Sequence, residues 1–169
     1  MPTPSRARAS LDKRTIDLLI INAGVAGPGG KHFQVPTRAE FDLVMHTNVL
    51  GPMQLIDAFA LSVVDNGGVI AVLSSRMGSI QETTSADSLT YRTSKAAVNM
   101  VVKMAAMEHG LRGVTVVALH PGWVRTDMGG ESALVGVSES VDGLRQVIGG
   151  LGADSNGGFF DHLGRSLHW

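Results

Sequence analysis

Tyr91 and Lys95 stand four residues apart in the run Tyr91-Arg92-Thr93-Ser94-Lys95. On a helix that spacing puts both side chains on one face, about 5–6 Å apart at Cβ. An ammonium beside a phenol favours the phenolate. At an effective dielectric of ~20 and ~5 Å the attraction is roughly 3 kcal/mol, or about 2 pKa units off a tyrosine reference of about 10. That shift would move Tyr91 toward the range useful for proton transfer near neutral pH. The spacing alone says little, because most such pairs are solvated helix surface. Other chemistries have less behind them. The histidines, at 32, 46, 109, 120, 162 and 168, show no metal-ligand spacing, so no metal is expected. Ser75 lies in no G-x-S-x-G elbow, which argues against a serine hydrolase. Gly30-Lys31 is followed by His32, and position 25 is Val, so the glycine-rich stretch from Gly24 to Gly30 is not a phosphate-binding P-loop.

The elements that must position the pair read as follows. Asp17–Ile21, Val69–Leu73 and Val114–Leu119 are apolar and rich in β-branched residues, as buried strands are. Gly158–Asp161 is a short fourth strand. Thr37 and Glu40 form a capping box that opens a helix running toward Val64, with Phe41, Val44 and Met45 on one side. Pro52 lies inside that helix and predicts a kink or irregular turn near Asn48. A long helix runs from Tyr91 to His109, with Ala96, Ala97, Met100, Val101, Met104 and Ala105 as packing positions. Ser138–Ile148 is a shorter helix with Ser138 as its N-cap. Apolar strands alternating with helices imply an α/β fold with a parallel sheet covered on both faces. In such sheets ligands bind beyond the carboxyl ends of the strands. Asn22-Ala23-Gly24, Ser74-Ser75 and Pro121 to Thr126 follow those ends, and the Tyr91 helix begins near the same rim.

Composition narrows the function classes. The 169 residues are 44% hydrophobic and carry a net charge of −1. A disordered chain is excluded, and no basic field exists to gather a nucleic-acid backbone. Charged residues are 17%, below the ~25% of an average domain. Cysteine is absent, which removes disulfides and thiolate metal sites and leans toward the cytoplasm. No apolar run approaches the ~20 residues of a membrane span. Residues 1–14 carry Arg6, Arg8, Lys13 and Arg14 without a hydrophobic region, and read as a flexible basic arm ahead of one domain over 15–169.

Five motifs in order, Asn22-Ala23-Gly24, Asn48-Val49-x-Gly51, Ser74-Ser75-x-x-Gly78, Tyr91-x-x-x-Lys95 and Pro121-Gly122-x-Val124-x-Thr126, make residues 16–169 resemble the short-chain dehydrogenase/reductase family. The runs HPGWVRTDMGG and GGFFDHLGRSLHW are similar to its C-factor-like carbonyl reductase subgroup. The resemblance implies a Rossmann-like, doubly wound sheet and NAD(P)-dependent hydride transfer between nicotinamide and a carbonyl or secondary alcohol. Tyr91 would be the general acid/base. Ser75 would orient the carbonyl oxygen, Lys95 would hold the nicotinamide ribose and lower the Tyr91 pKa, and Asn48 would anchor a proton-relay water. Pro121, Gly122, Val124 and Thr126 would line the nicotinamide side, while Asn22, Ala23 and Gly24 pack under the adenosine. A homo-oligomer would form through the helices beginning near Thr37 and Tyr91.

The family's phosphate loop, T-G-x-x-x-G-x-G, does not occur in this sequence. The resemblance therefore implies a partial sheet of about four strands, lacking the first βαβαβ half. The residue that selects NADP or NAD is absent with it, so the preference is not readable and cofactor affinity is expected to be weak. The strand at Asp17–Ile21 becomes an apolar edge, which predicts self-association. The alternative is a truncated, inactive fragment acting as an interaction or dimerisation module.

Overall fold

The apolar runs form the strands. The computed structural model describes residues 4–12, 14–30 and 32–169. Strand β1 spans Leu18–Ile21, β2 Val69–Leu73, β3 Thr115–His120 and β4 Phe159–Asp161. They make one parallel sheet in the order β1-β2-β3-β4, with Ile20 opposite Ala71 and Ala71 opposite Val117. Helices α1 (Pro4–Ala9), α2 (Arg38–Met45), α3 (Gly51–Phe59), α4 (Leu89–His109) and α5 (Val137–Gly149) flank it.

Side chains alternate across the sheet, as the two-residue period of a strand requires. Ile70, Val72, Val116 and Ala118 face α3 and α4, meeting Ile56, Val98, Val102, Ala105 and Ala106. Ala71, Val117 and Leu119 face the other way, onto Leu144, Val147 and Ile148 of α5. Helices thus cover both faces of an α/β, Rossmann-like sheet. Val98 and Val102 are wholly buried, each worth roughly 1.5–3 kcal/mol over an exposed position. Coverage stops at β1: Leu18 and Ile20, on the α5 side of the sheet, are 40% and 49% exposed. Among the described residues β1 pairs only with β2, so its outer edge is open.

Four details differ from the sequence reading. The stretch read as a flexible arm contains α1, which packs against α3 and reaches Ser62 through Arg8 Nε at 3.3 Å. Residues 1–3 and Lys13 of that stretch lie outside the described residues. The kink is a full turn of π-helix, His46–Leu50, between α2 and α3. Pro52 has no N–H to give the Asn48 carbonyl, and the wider turn absorbs the mismatch. Helix α5 starts one residue before Ser138, and its N-cap is Gly136, because Glu139 reaches back to the Gly136 N–H at 3.3 Å. The Ser138 hydroxyl bonds Asp142 instead.

The fourth difference concerns which face of α4 packs. Met100 and Met104 are 61% and 64% exposed, not core. The buried stripe is Ser94, Lys95, Val98, Asn99, Val102, Ala105, Ala106 and His109. An apolar stripe competes here with one that mixes small apolar and polar residues, and the mixed stripe goes inward.

Candidate active site

Beyond the carboxyl end of β2, Ser75 caps a 3-10 turn over Arg76–Gly78, its hydroxyl accepting the Met77 N–H at 3.2 Å. Gly78 seats this turn on α4. A Cβ there would come within 2.6 Å of the Lys95 carbonyl carbon, which explains the glycine three residues after the serine. Beside it, the Ser74 hydroxyl donates to Asn99 Oδ1 at 2.5 Å, and Asn99 Nδ2 reaches the Gly78 carbonyl.

Tyr91 occupies the first turn of α4, and its phenol hydrogen-bonds Ser75. Lys95 Nζ lies 5.7 Å from the Tyr91 ring centroid and donates to the Leu73 carbonyl at 2.9 Å. Asn48 closes the cluster. Its Nδ2 donates to the Val25 carbonyl and the Ser94 hydroxyl, and its Oδ1 accepts the Val25 N–H, all within 2.9 Å. The π-turn therefore clamps the loop after β1 onto α4. A Cβ on Gly24 would lie 3.5 Å from both Asn48 Oδ1 and Lys95 Nζ, so that backbone borders both groups.

Burial decides the ionisation of the pair. It pushes the Tyr91 phenol above its ordinary value, and the Ser75 hydrogen bond only partly opposes this. The predicted lowering by Lys95 is thus corrected. The amine sits over the ring face and is committed to the Leu73 carbonyl, and burial pulls its own pKa down to about 8.

The structure brings Asn48, Ser75, Tyr91, Lys95 and Gly24 together. Asn22 and Ala23 precede Gly24 in the same loop with exposed side chains. Pro121 to Thr126 follow β3, the neighbour of β2, at the same sheet edge. Gly122 adopts φ +86°, and a Cβ there would meet His162 at 2.9 Å. Val124 bridges Val135, and Thr126 Oγ1 accepts the Gly129 N–H at 3.2 Å. Arg125 is exposed, and it donates to the carbonyls of Ala133 and Leu134 and props this loop. Trp123 is half-exposed, with its indole N–H on the Gly129 carbonyl. Sequence reasoning missed Ser94 and Asn99. Their signal was available, since Tyr91, Lys95 and Asn99 recur at four-residue spacing on the inward face.

The family model for short chain dehydrogenase matches residues 5–134. The chain belongs to that family. It is 38% identical over 156 residues to C-signal of Myxococcus xanthus, covering 91% of this chain and 93% of that protein. The carbonyl reductase Sniffer of D. melanogaster superposes with a TM-score of 0.88 at 31% identity, over 98% of this chain and 71% of that one. A carbonyl reductase from Pseudomonas aeruginosa PAO1, in complex with NADP, gives 0.82 at 35% identity, over 98% and 72%. The family is one of oxidoreductases. No helix among the described residues is long and apolar enough to cross a membrane.

Proposed function

We propose that this chain is an NAD(P)-dependent oxidoreductase that interconverts a small carbonyl compound, aldehyde or ketone, and the corresponding alcohol. The observation that carries the reading is the cluster of Ser75, Tyr91 and Lys95 beside Gly24 and Asn48 at one rim. The nicotinamide cofactor, when bound, supplies the hydride. The chain supplies position and protons. Tyr91 Oη gives its proton to the nascent alkoxide, or takes it from the alcohol in reverse. Ser75 holds the same oxygen. Lys95, with a pKa of about 8, exists in both protonation states near neutrality, and would hold the ribose and feed Tyr91. Asn48 orients a water through the carbonyl that Pro52 leaves without a helical donor. Pro121, Gly122, Val124 and Thr126 would line the nicotinamide side, and Asn22, Ala23 and Gly24 would pack beneath the adenosine.

The residues around Gly24 and Lys95 fit such a cofactor, because backbone without a side chain borders the polar cluster there. No T-G-x-x-x-G-x-G phosphate loop occurs in the sequence, so binding is weak and the choice between NADP and NAD is left open. We place the protein in the cytoplasm as a homo-oligomer built on α2–α3 and α4. Met100, Met104 and Met107 present an exposed apolar stripe along α4, with exposed Leu111 in the turn after it, and Leu43, Leu50 and Met53 are exposed along α2–α3.

A second reading is an inactive interaction module. It is favoured by the open apolar edge at β1 and by the likeness to a relative named C-signal over nearly that relative's whole length. Fluorescence titration with NADPH and NADH, followed by turnover of benzaldehyde, separates the two. Cofactor-dependent turnover lost in Tyr91→Phe supports the enzyme. Turnover that survives Tyr91→Phe refutes the acid/base role, and absence of binding and turnover together supports the module.

A further inference from the structure

Arg76 directly follows Ser75, and its guanidinium reaches toward the end of β4. Its Nε lies 3.3 Å from Glu82 Oε2 and its Nη2 3.7 Å from Asp161 Oδ2. Asp161 ends β4 and is 1% exposed. Its Oδ1 accepts the N–H groups of Leu163 and Arg165 at 3.0 Å, and its Oδ2 meets the Arg165 guanidinium at 2.7 Å. An unpaired carboxylate at that depth would be expensive, and these partners are what make it tolerable.

The segment after Asp161 returns across the same region. Leu167 is buried and donates to the Phe159 carbonyl at 2.8 Å, and the Trp169 ring stacks on Phe159 at 5.4 Å. The Trp169 carbonyl accepts the Gln81 N–H at 3.2 Å and the Ser79 hydroxyl at 3.4 Å. Glu82 joins the two sides, because its other oxygen, Oε1, accepts the His168 N–H at 3.2 Å. The turn carrying Ser75 is therefore held from α4 through Gly78 and Asn99, and from the opposite side through Arg76, Ser79, Gln81 and Glu82.

We propose that residues 161–169 form a strap that fixes the Ser75 turn, with Asp161 and Glu82 as positioning residues acting through Arg76. The strap couples the end of β4, which carries no reacting group, to the hydroxyl that orients the substrate. Its catalytic relevance rests on the oxidoreductase reading; its mechanical part does not.

Hydrogen exchange on the whole chain tests the strap. Arg76 is the lever, since it is half-exposed, whereas Asp161→Asn also disturbs the interior. Arg76→Gln is expected to raise exchange about fivefold in both 75–82 and 163–169, the scale of a lost partly exposed ion pair, with β2 and β3 unchanged. Arg76→Lys restores most of the protection, and Glu82→Gln reproduces the loss. With NADPH and benzaldehyde, Arg76→Gln lowers kcat about fivefold at constant KM, as a displaced orienting group does. The proposal is overturned if either segment keeps its wild-type exchange, or if β2 and β3 loosen equally. Coupled exchange in a chain without turnover supports the strap and defeats the oxidoreductase reading. Turnover with uncoupled exchange does the reverse.

Discussion

The two faces of α4 reverse the usual rule. The inward face buries Ser94, Lys95 and Asn99 among Val98, Val102, Ala105 and Ala106, and the outward face exposes Met100, Met104 and Met107. Each of these three polar groups has a partner: Ser94 with Asn48, Lys95 with Leu73, Asn99 with Ser74. That satisfaction keeps the arrangement affordable, because an unpartnered polar group at such depth costs about 1–3 kcal/mol. The polar face meets the Ser75 turn and the Asn48 turn, and the apolar face lies open.

The largest test of this contrast is Lys95→Met. Removing a positioned charge in a water-poor site is expected to lower benzaldehyde turnover by about 10²-fold. The urea midpoint should hold or rise, because a buried amine is exchanged for an apolar side chain. A falling midpoint would make the lysine structural. Asn48→Ala comes next. It strands Ser94 and the Val25 backbone, and should destabilise by about 2 kcal/mol in urea melts. Unchanged stability would break the idea that the π-turn clamps the β1 loop to α4.

A smaller effect concerns His120, at the end of β3. Burial holds its pKa down at about 4, against an ordinary 6.5, with Arg76 acting in the same direction. In that window the unfolded chain binds a proton that the folded chain refuses, so stability falls as pH drops from 6.5 to about 4. Melts across the window should show this slope, and His120→Gln should flatten it. Smallest for stability is the outward face. Met100→Glu with Met104→Glu should change stability by no more than about 0.5 kcal/mol for each substitution. Sedimentation should show the assembly falling apart; an unchanged sedimentation coefficient would leave the apolar stripe unexplained.

Much of this was legible in the residues. The apolar runs located all four strands, and Pro52 located the irregular turn at Asn48. The spacing of Tyr91 and Lys95, with Ser75 after a strand, located the cluster. What was not legible depends on tertiary context. Which stripe of α4 packs could not be decided by hydrophobicity, since polar residues won the interior by finding partners far away in sequence. The Tyr91 ionisation went the other way because Coulomb attraction can be estimated from spacing, while burial cannot. The Arg76–Asp161 pair spans 85 positions, and no local pattern announces it.

The central claim is that Tyr91 protonates a carbonyl oxygen while Ser75 holds it. Incubation of the whole chain with benzaldehyde and NADPH deuterated at the transferable position tests it most directly. The account predicts deuterium on the carbinol carbon of benzyl alcohol with the wild-type chain and none with Tyr91→Phe. Equal deuterium transfer by both proteins would contradict it.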